Sequence, residues 1–209
     1  SLTATSLVID KISSIAITTE DPFGAPVPDI DFDITGGLVI GTNASDGTPV
    51  YEYTAALVTD GNGRKDISNR TTGDYAITLD ASETTRKYIR LVPSEATFGS
   101  INLLPDTNQA VDFVVADKAL SSALITAIHQ TNGTAVAGAS VRLVNTTLAY
   151  DATVTTDIYG QAFFPETNTP LLAGTYDVTI TASGYSNATG TLTVAGDRLE
   201  QQTFQLTPL

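Results

Sequence analysis

The sequence predicts an all-β protein: two tandem antiparallel β-sandwiches behind an extended N-terminal segment. Three observations carry this reading. Runs of four to eight residues rich in Val, Ile, Thr, Tyr and Phe recur along the chain with turn residues between them, the signature of short paired strands. Motifs of the first half return in order in the second half, which marks a duplicated unit. The 209 residues, 42% hydrophobic and only 16% charged, suffice for two buried cores and argue against disorder.

Taken in order, residues 1–33 read as a segment apart. Leu7-Val8-Ile9 and Ile15-Ala16-Ile17-Thr18-Thr19 are β-prone, and Pro22, Pro26 and Pro28 then impose an extended, stiff connector. Left alone, such a segment exposes apolar side chains and unpaired backbone. Three fates are open to it. It can add an edge strand to the first sandwich. It can act as a donor strand, seating Leu7, Ile9, Ile12, Ile15 and Ile17 in a neighbouring subunit. Or Ala4 to Ala16 can form a helical stem with Leu7, Val8, Lys11, Ile12 and Ile15 along one stripe, although Ser13-Ser14 and the β-branched isoleucines weaken a helix.

The first sandwich is expected over 34–116 and the second over 117–209, joined at Ala116-Asp117-Lys118. In the second, strands are expected at Ala123–Ile128, Ser140–Val144, Tyr176–Thr181, Gly190–Val194 and Gln201–Leu206. The turn signals are Asn132-Gly133, Asp60-Gly61, Ala173-Gly174 and Ser183-Gly184.

The repeat aligns Gly47-Thr48-Pro49-Val50 with Gly133-Thr134-Ala135-Val136, and Leu38-Val39 with Leu124-Ile125, at an offset of 86. Thr59-Asp60-Gly61-Asn62-Gly63 then matches Thr156-Asp157-Ile158-Tyr159-Gly160 at an offset of 97, which implies an insertion in a loop around Asn145 to Thr155. Gly73-Asp74-Tyr75 matches Gly174-Thr175-Tyr176, and Asp106 and Phe113 match Asp197 and Phe204.

The run from Gly133 to Leu143, the Thr156-Asp157-x-x-Gly160 element leading into Phe163-Phe164, the stretch Leu171 to Ile180, and Gly184-Tyr185 resemble the carboxypeptidase regulatory-like family. The resemblance covers roughly 121–207, and 35–115 in a divergent form in which Tyr51, Glu52 and Tyr53 replace a small Gly-Ala pair. It implies transthyretin-like, immunoglobulin-like sandwiches of the kind that serve secreted and surface proteins as spacers, stalks and fibre units. Related pilin modules crosslink a Lys to an Asn or Asp beside a carboxylic acid. The residues here that could be forced into that role are Lys65 or Lys87 with Asp112 and Glu52.

Composition removes several function classes. With 10 Lys+Arg against 23 Asp+Glu, the net charge of -13 repels nucleic acid and anionic membranes. Cysteine is absent and His129 is the single histidine, which excludes thiolate and multi-histidine metal sites and leaves little base capacity near neutral pH. No catalytic residue and no cofactor is expected; His129 reads as a strand-end residue. No apolar run is long enough to span a bilayer, and Ser1 without a basic leader reads as the start of a trimmed, exported product.

Asp60, Asn62 and Asp66 could be read as half of a calcium loop, although a β-turn is the simpler account, and the better calcium candidate is Asp29, Asp31 and Asp33, whose carboxylates alternate onto one side of an extended segment. Asn43, Asn69, Asn132, Asn145 and Asn187 lie in Asn-x-Ser/Thr sequons, so covalently attached glycans are expected partners in a host with the transferase. The sequence therefore reads as a non-enzymatic subunit of an extracellular or cell-surface filament, polymerising head to tail with copies of itself through the leading strand. The rival is an adhesin or carbohydrate-binding module using Tyr51, Tyr53, Tyr150, Tyr159 and Tyr185. A pilin-like subunit with a helical stem is the second alternative.

Overall fold

A computed structural model describes residues 11–79, 87–92 and 100–209; Leu7, Val8 and Ile9 lie outside them. The first strands are β1 (Ser13–Glu20), β2 (Asp31–Thr42), β3 (Pro49–Val58), β4 (Arg64–Arg70), β5 (Gly73–Leu79), β6 (Tyr88–Val92), β7 (Ile101–Leu103) and β8 (Asn108–Asp117). There follow β9 (Ser122–His129), β10 (Ser140–Asn145), β11 (Tyr150–Thr155), β12 (Gln161–Phe164), β13 (Gly174–Thr181), β14 (Ala188–Val194) and β15 (Leu199–Leu206). They form four sheets, ordered β4-β1-β8-β6, β3-β2-β5-β7, β12-β9-β15 and β11-β10-β13-β14. The described residues divide into two compact units, 11–79 with 100–115, and 87–92 with 116–209.

In the second unit the alternation read from the sequence becomes burial. Ala123, Ile125 and Ala127 of β9, Val141 and Leu143 of β10, Tyr176, Val178 and Ile180 of β13, and Leu206 of β15 meet in one core. The expected insertion loop is different: Tyr150–Thr155 is strand β11, paired along its length with β10, and only Thr146–Ala149 turn between them. Of the glycine turn signals, Gly133 and Gly184 have positive φ, whereas Gly174 is the first residue of β13.

The leading segment departs furthest from expectation. Ser13–Glu20 is neither a donor strand nor a helical stem, and it is not an edge. β1 lies between β4, to which it is antiparallel, and β8, to which it is parallel, so both of its edges are taken within the chain. Ile15 and Ile17 are 0% and 1% exposed, while Ile12, just ahead of the strand, is 62% exposed. Period-two alternation puts Ser13, Ile15, Ile17 and Thr19 on the buried side, which no helical stripe could do. The first sandwich thus begins at β1 and not at residue 34.

Hydrogen bonds explain why the repeat misleads at its start. The amide of Thr19 donates to Gly63 O at 2.8 Å and its carbonyl accepts from Val27 N at 2.9 Å. In the second unit Ala127 N donates to Gly160 O at 2.8 Å and Ala127 O accepts from Val136 N at 2.9 Å. Thr19 therefore stands where Ala127 does, and Gly24-Ala25-Pro26-Val27 is the counterpart of Gly133-Thr134-Ala135-Val136. Asp29, at φ 57°, holds the backbone position of Gly138, at φ 74°. Gly47-Thr48-Pro49-Val50, the closer string match, instead covers the end of the β2–β3 turn and the first residues of β3. The later blocks do share geometry: Asp106 and Asp197 both have positive φ ahead of β8 and β15, and Phe113 and Phe204 are both buried.

Replacing Ile17 with Asp puts a carboxylate into this core with no partner, at a cost of several kcal/mol. Urea unfolding followed by circular dichroism should then show the transition of the first sandwich lost and that of the second retained. A change below about 1 kcal/mol, the range of surface substitutions, would mean that β1 is dispensable to the fold.

Candidate functional site

A feature of the first unit with no counterpart among the described residues of the second is the distal half of the β2–β3 hairpin. β10 ends at Asn145, the position that Gly36 occupies in β2, but β2 continues to Thr42. The register of β5 on β2 stops at Gly36 opposite Tyr75, so among the described residues β2 beyond it pairs with β3 alone, through Val39 with Tyr51, Gly41 with Val50 and Thr42 with Pro49. Register shifts at Gly36/Val39 and Val39/Gly41 bend the arm.

The base of the arm is tightly fixed. A Cβ on Gly36 would lie 2.2 Å from Asp74 O, so only glycine admits this approach of β5. Gly37 has φ +80°, and a Cβ there would meet Glu52 Oε1 at 2.6 Å and the Tyr75 hydroxyl at 2.8 Å. Thr71 Oγ1 donates to Glu52 Oε1, Tyr75 OH donates to Thr71 O at 2.9 Å, and the Arg70 guanidinium lies 3.8 Å from the centre of the Tyr53 ring. The tip is closed by turns: Asn43 Oδ1 accepts from Ser45 N and Oγ, and Asp46 Oδ1 accepts from Thr48 N and Oγ1. Between base and tip, Leu38, Val39 and Ile40 are 50%, 57% and 67% exposed, and Val50 is 41% exposed. The sequence carries a signal for this, since no charged residue stands between Asp33 and Asp46, but periodicity alone assigns the stretch to a core strand.

The other expected sites disperse. Asp31 and Asp33 point to solvent from β2, and Asp29 sits in the positive-φ turn ahead of it. These three do not come together: among the described residues no group of three or more His, Cys, Asp or Glu side chains could hold a metal. Glu52 is held by Thr71, Asp112 accepts from Thr18 Oγ1, Lys65 lies opposite Ile17 on β4, and the Lys87 ammonium lies 4.7 Å from the centre of the Tyr88 ring. His129 ends β9, where its Nδ1 accepts from Thr131 N and its ring meets Tyr185 edge to face at 5.8 Å.

Two of the expected platform tyrosines are engaged locally. Tyr53 is covered by Arg70, while Tyr150 OH donates to Glu166 Oε2 and its ring packs edge-on against Tyr176. Burial, and then the bond to Glu166, holds the Tyr150 phenol well above its usual pKa. The sequons have a local explanation that sequence reading missed. Asn132 Oδ1 accepts from Thr134 N and Oγ1, as Asn43 does from Ser45, so the hydroxyl two residues on closes an Asx turn. Asn145 is used twice, its Nδ2 donating to Thr175 O and its Oδ1 accepting from Leu148 N. Asn69 and Asn187 are exposed, Asn69 with φ 59°.

Known proteins bear on the second unit most directly. Residues 120–198 match the phage tail tube protein C-terminal domain. The match covers less than half of the chain, and it falls on the residues whose motifs resemble the carboxypeptidase regulatory-like family. No curated protein matches the chain. Among solved structures it is similar to the Bacillus anthracis TIE protein, at 15% identity and a TM-score of 0.37 over 95% of this chain. It is similar to a streptococcal ancillary pilin at 14% identity and a TM-score of 0.37, over 95% of this chain. GBS52, the minor pilin of Streptococcus agalactiae, matches 94% of this chain and 96% of its own at 10% identity and a TM-score of 0.35. The chain spans 34% of the TIE protein and 62% of the ancillary pilin.

The Tyr75 bond at the base of the arm has a twin: Tyr176 OH donates to Leu172 O at 2.7 Å, four residues upstream as in Tyr75 to Thr71, the tyrosine-corner geometry of immunoglobulin-like sandwiches. Tyr75→Phe and Tyr176→Phe should each cost about 1 to 2 kcal/mol in urea unfolding. Burial raises the pKa of both phenols, so the folded state favours their neutral form. That stabilisation is complete below the unfolded value of about 10 and is lost as pH rises through the higher folded values. Unfolding midpoints should therefore fall above pH 10, and less steeply in the double Phe variant.

Proposed function

We propose that this chain is a non-enzymatic structural subunit that assembles with copies of itself into an extracellular or surface-exposed tube or filament. The observation that carries the reading is the match of residues 120–198 to a domain of phage tail tube proteins, which are by name components of a tube. The tandem sandwiches support it, since most of their sequence goes into two cores and the turns that close them and little into a reactive site.

Polymerisation by the leading strand has to be narrowed. Because β1 is paired on both sides, Ile15 and Ile17 are unavailable to a neighbour, and of the five donor residues there remain the exposed Ile12 and, outside the described residues, Leu7 and Ile9. The adhesin reading draws on tyrosines of which Tyr53 is stacked under Arg70 and Tyr150 is bonded to Glu166. Glycans, if attached, are best accommodated at Asn187, which is exposed and outside the strands.

The net charge of -13 sets the conditions of assembly. Copies repel at low ionic strength and approach once the Debye length falls from about 10 Å at 0.1 M salt to about 3 Å at 1 M. Sedimentation velocity and negative-stain microscopy over that range should show oligomers or polymers that grow with salt. A protein that stays monomeric at millimolar concentration in 1 M salt would overturn the reading.

A further inference from the structure

We propose that the distal β2–β3 arm is a self-association surface, and that its occupant is the same arm of a second copy, paired antiparallel along the open edge of β2. The inference rests on the homopolymer reading above and names a surface for it.

The duplicated sandwich provides the control. β10 and β11 close the same hairpin with six residues each and a short turn, so the fold does not need the longer arm. What the extension adds is unsuited to solvent. Leu38, Val39, Ile40 and Val50 stand together exposed, whereas the other large exposed aliphatics among the described residues, such as Ile12, Leu104, Ile158 and Leu172, are scattered along the chain. Clustered apolar exposure marks an interaction surface where single residues do not.

Backbone adds a second argument. Among the described residues, the outer edge of β2 past Gly36 has no strand beside it, and β3 is the outermost strand of its sheet. Natural edge strands are commonly guarded by charge, proline or short length. The β2 edge carries none of these three from Thr35 to Asn43, and its one guarding feature is the pair of register shifts at Gly36/Val39 and Val39/Gly41. The arm is also held rather than loose, by Gly36 against Asp74 O, Thr71 on Glu52, Arg70 over Tyr53 and the Asx turns at its tip. An edge presented in a fixed shape loses little entropy on pairing.

Charge selects the occupant. A second copy also carries -13, so two copies can meet closely only where neither presents carboxylates. A receptor for the β2 edge must be apolar, uncharged and open-edged, and the β2 edge itself, which carries no charge from Ile34 to Ser45, meets all three conditions. Antiparallel pairing of identical β2 edges is two-fold and closed, so growth beyond a pair requires a second contact elsewhere.

The chain lacks cysteine, which permits a direct test. Ile40→Cys, oxidised under conditions where the wild type assembles, should give a disulfide-linked dimer on non-reducing gels; Val58→Cys, on β3 away from the arm, should give none. In parallel, Val39→Lys with Ile40→Lys should raise the concentration needed for assembly at least about tenfold with the unfolding midpoint unchanged, because both residues are exposed. Val58→Lys should leave assembly as it is. Wild type that never associates overturns the homopolymer reading and the arm with it. Assembly that persists in the double-Lys variant, or equal crosslinking of the Val58→Cys variant, overturns the arm alone. A glycan on Asn43 or an unrelated protein covering the arm, with no crosslinked dimer of the Ile40→Cys variant, does the same.

Discussion

Each sandwich is closed by one turn, Thr-Asp-x-x-Gly, and the closure depends on the glycine having no side chain. Gly63 has φ +68° and a Cβ on it would lie 2.5 Å from Thr19 O; Gly160 has φ +72° and a Cβ would lie 2.4 Å from Ala127 O. The contact is where the chain leaves one sheet for the other, so β1 can reach β4, and β9 can reach β12, only because that space is empty. Thr59 and Thr156, both buried, tie the start of the next strand pair to the same turn: Ile30 N donates to Thr59 Oγ1 and Ala139 N to Thr156 Oγ1. Asp60 and Asp157 complete it by accepting two backbone amides each, which in Asp60 lowers the carboxyl pKa through the Arg64 and Asn62 amides.

This arrangement places stability in backbone geometry and apolar burial, not in charge. The described ion pairs Lys11–Asp106, Arg142–Asp151 and Arg198–Glu200 lie at the surface, where such pairs contribute little. The remaining acidic excess keeps copies apart in dilute solution. The β2 side of the arm, without charge from Ile34 to Ser45, is an exception to that acidic surface.

The two units also show how a duplicated fold separates scaffold from addition. The tyrosine corner, the Thr-Asp-x-x-Gly turn, the parallel pairing of the first strand with the last, and the positive-φ residue ahead of the second strand occur in both. The arm occurs in one. Shared features answer to the packing of two sheets, and a feature present in a single copy is free of that demand.

Composition and alternation determined the fold class, because buried and exposed residues must alternate on a strand whatever it pairs with. They also made the Thr-Asp-x-x-Gly and Gly-x-Tyr repeats legible, since those side chains act within a few residues of themselves. Strand partnership was not legible. Gly47-Thr48-Pro49-Val50 resembles Gly133-Thr134-Ala135-Val136 more closely than Gly24-Ala25-Pro26-Val27 does, and only the bonds of Thr19 and Ala127 to residues far along the chain decide between them. The same is true of Ile15, Ile17, Leu38 and Ile40. All four are β-prone aliphatics in alternating runs, and the tertiary structure alone buries the first pair between two sheets and leaves the second pair without a sheet to cover them.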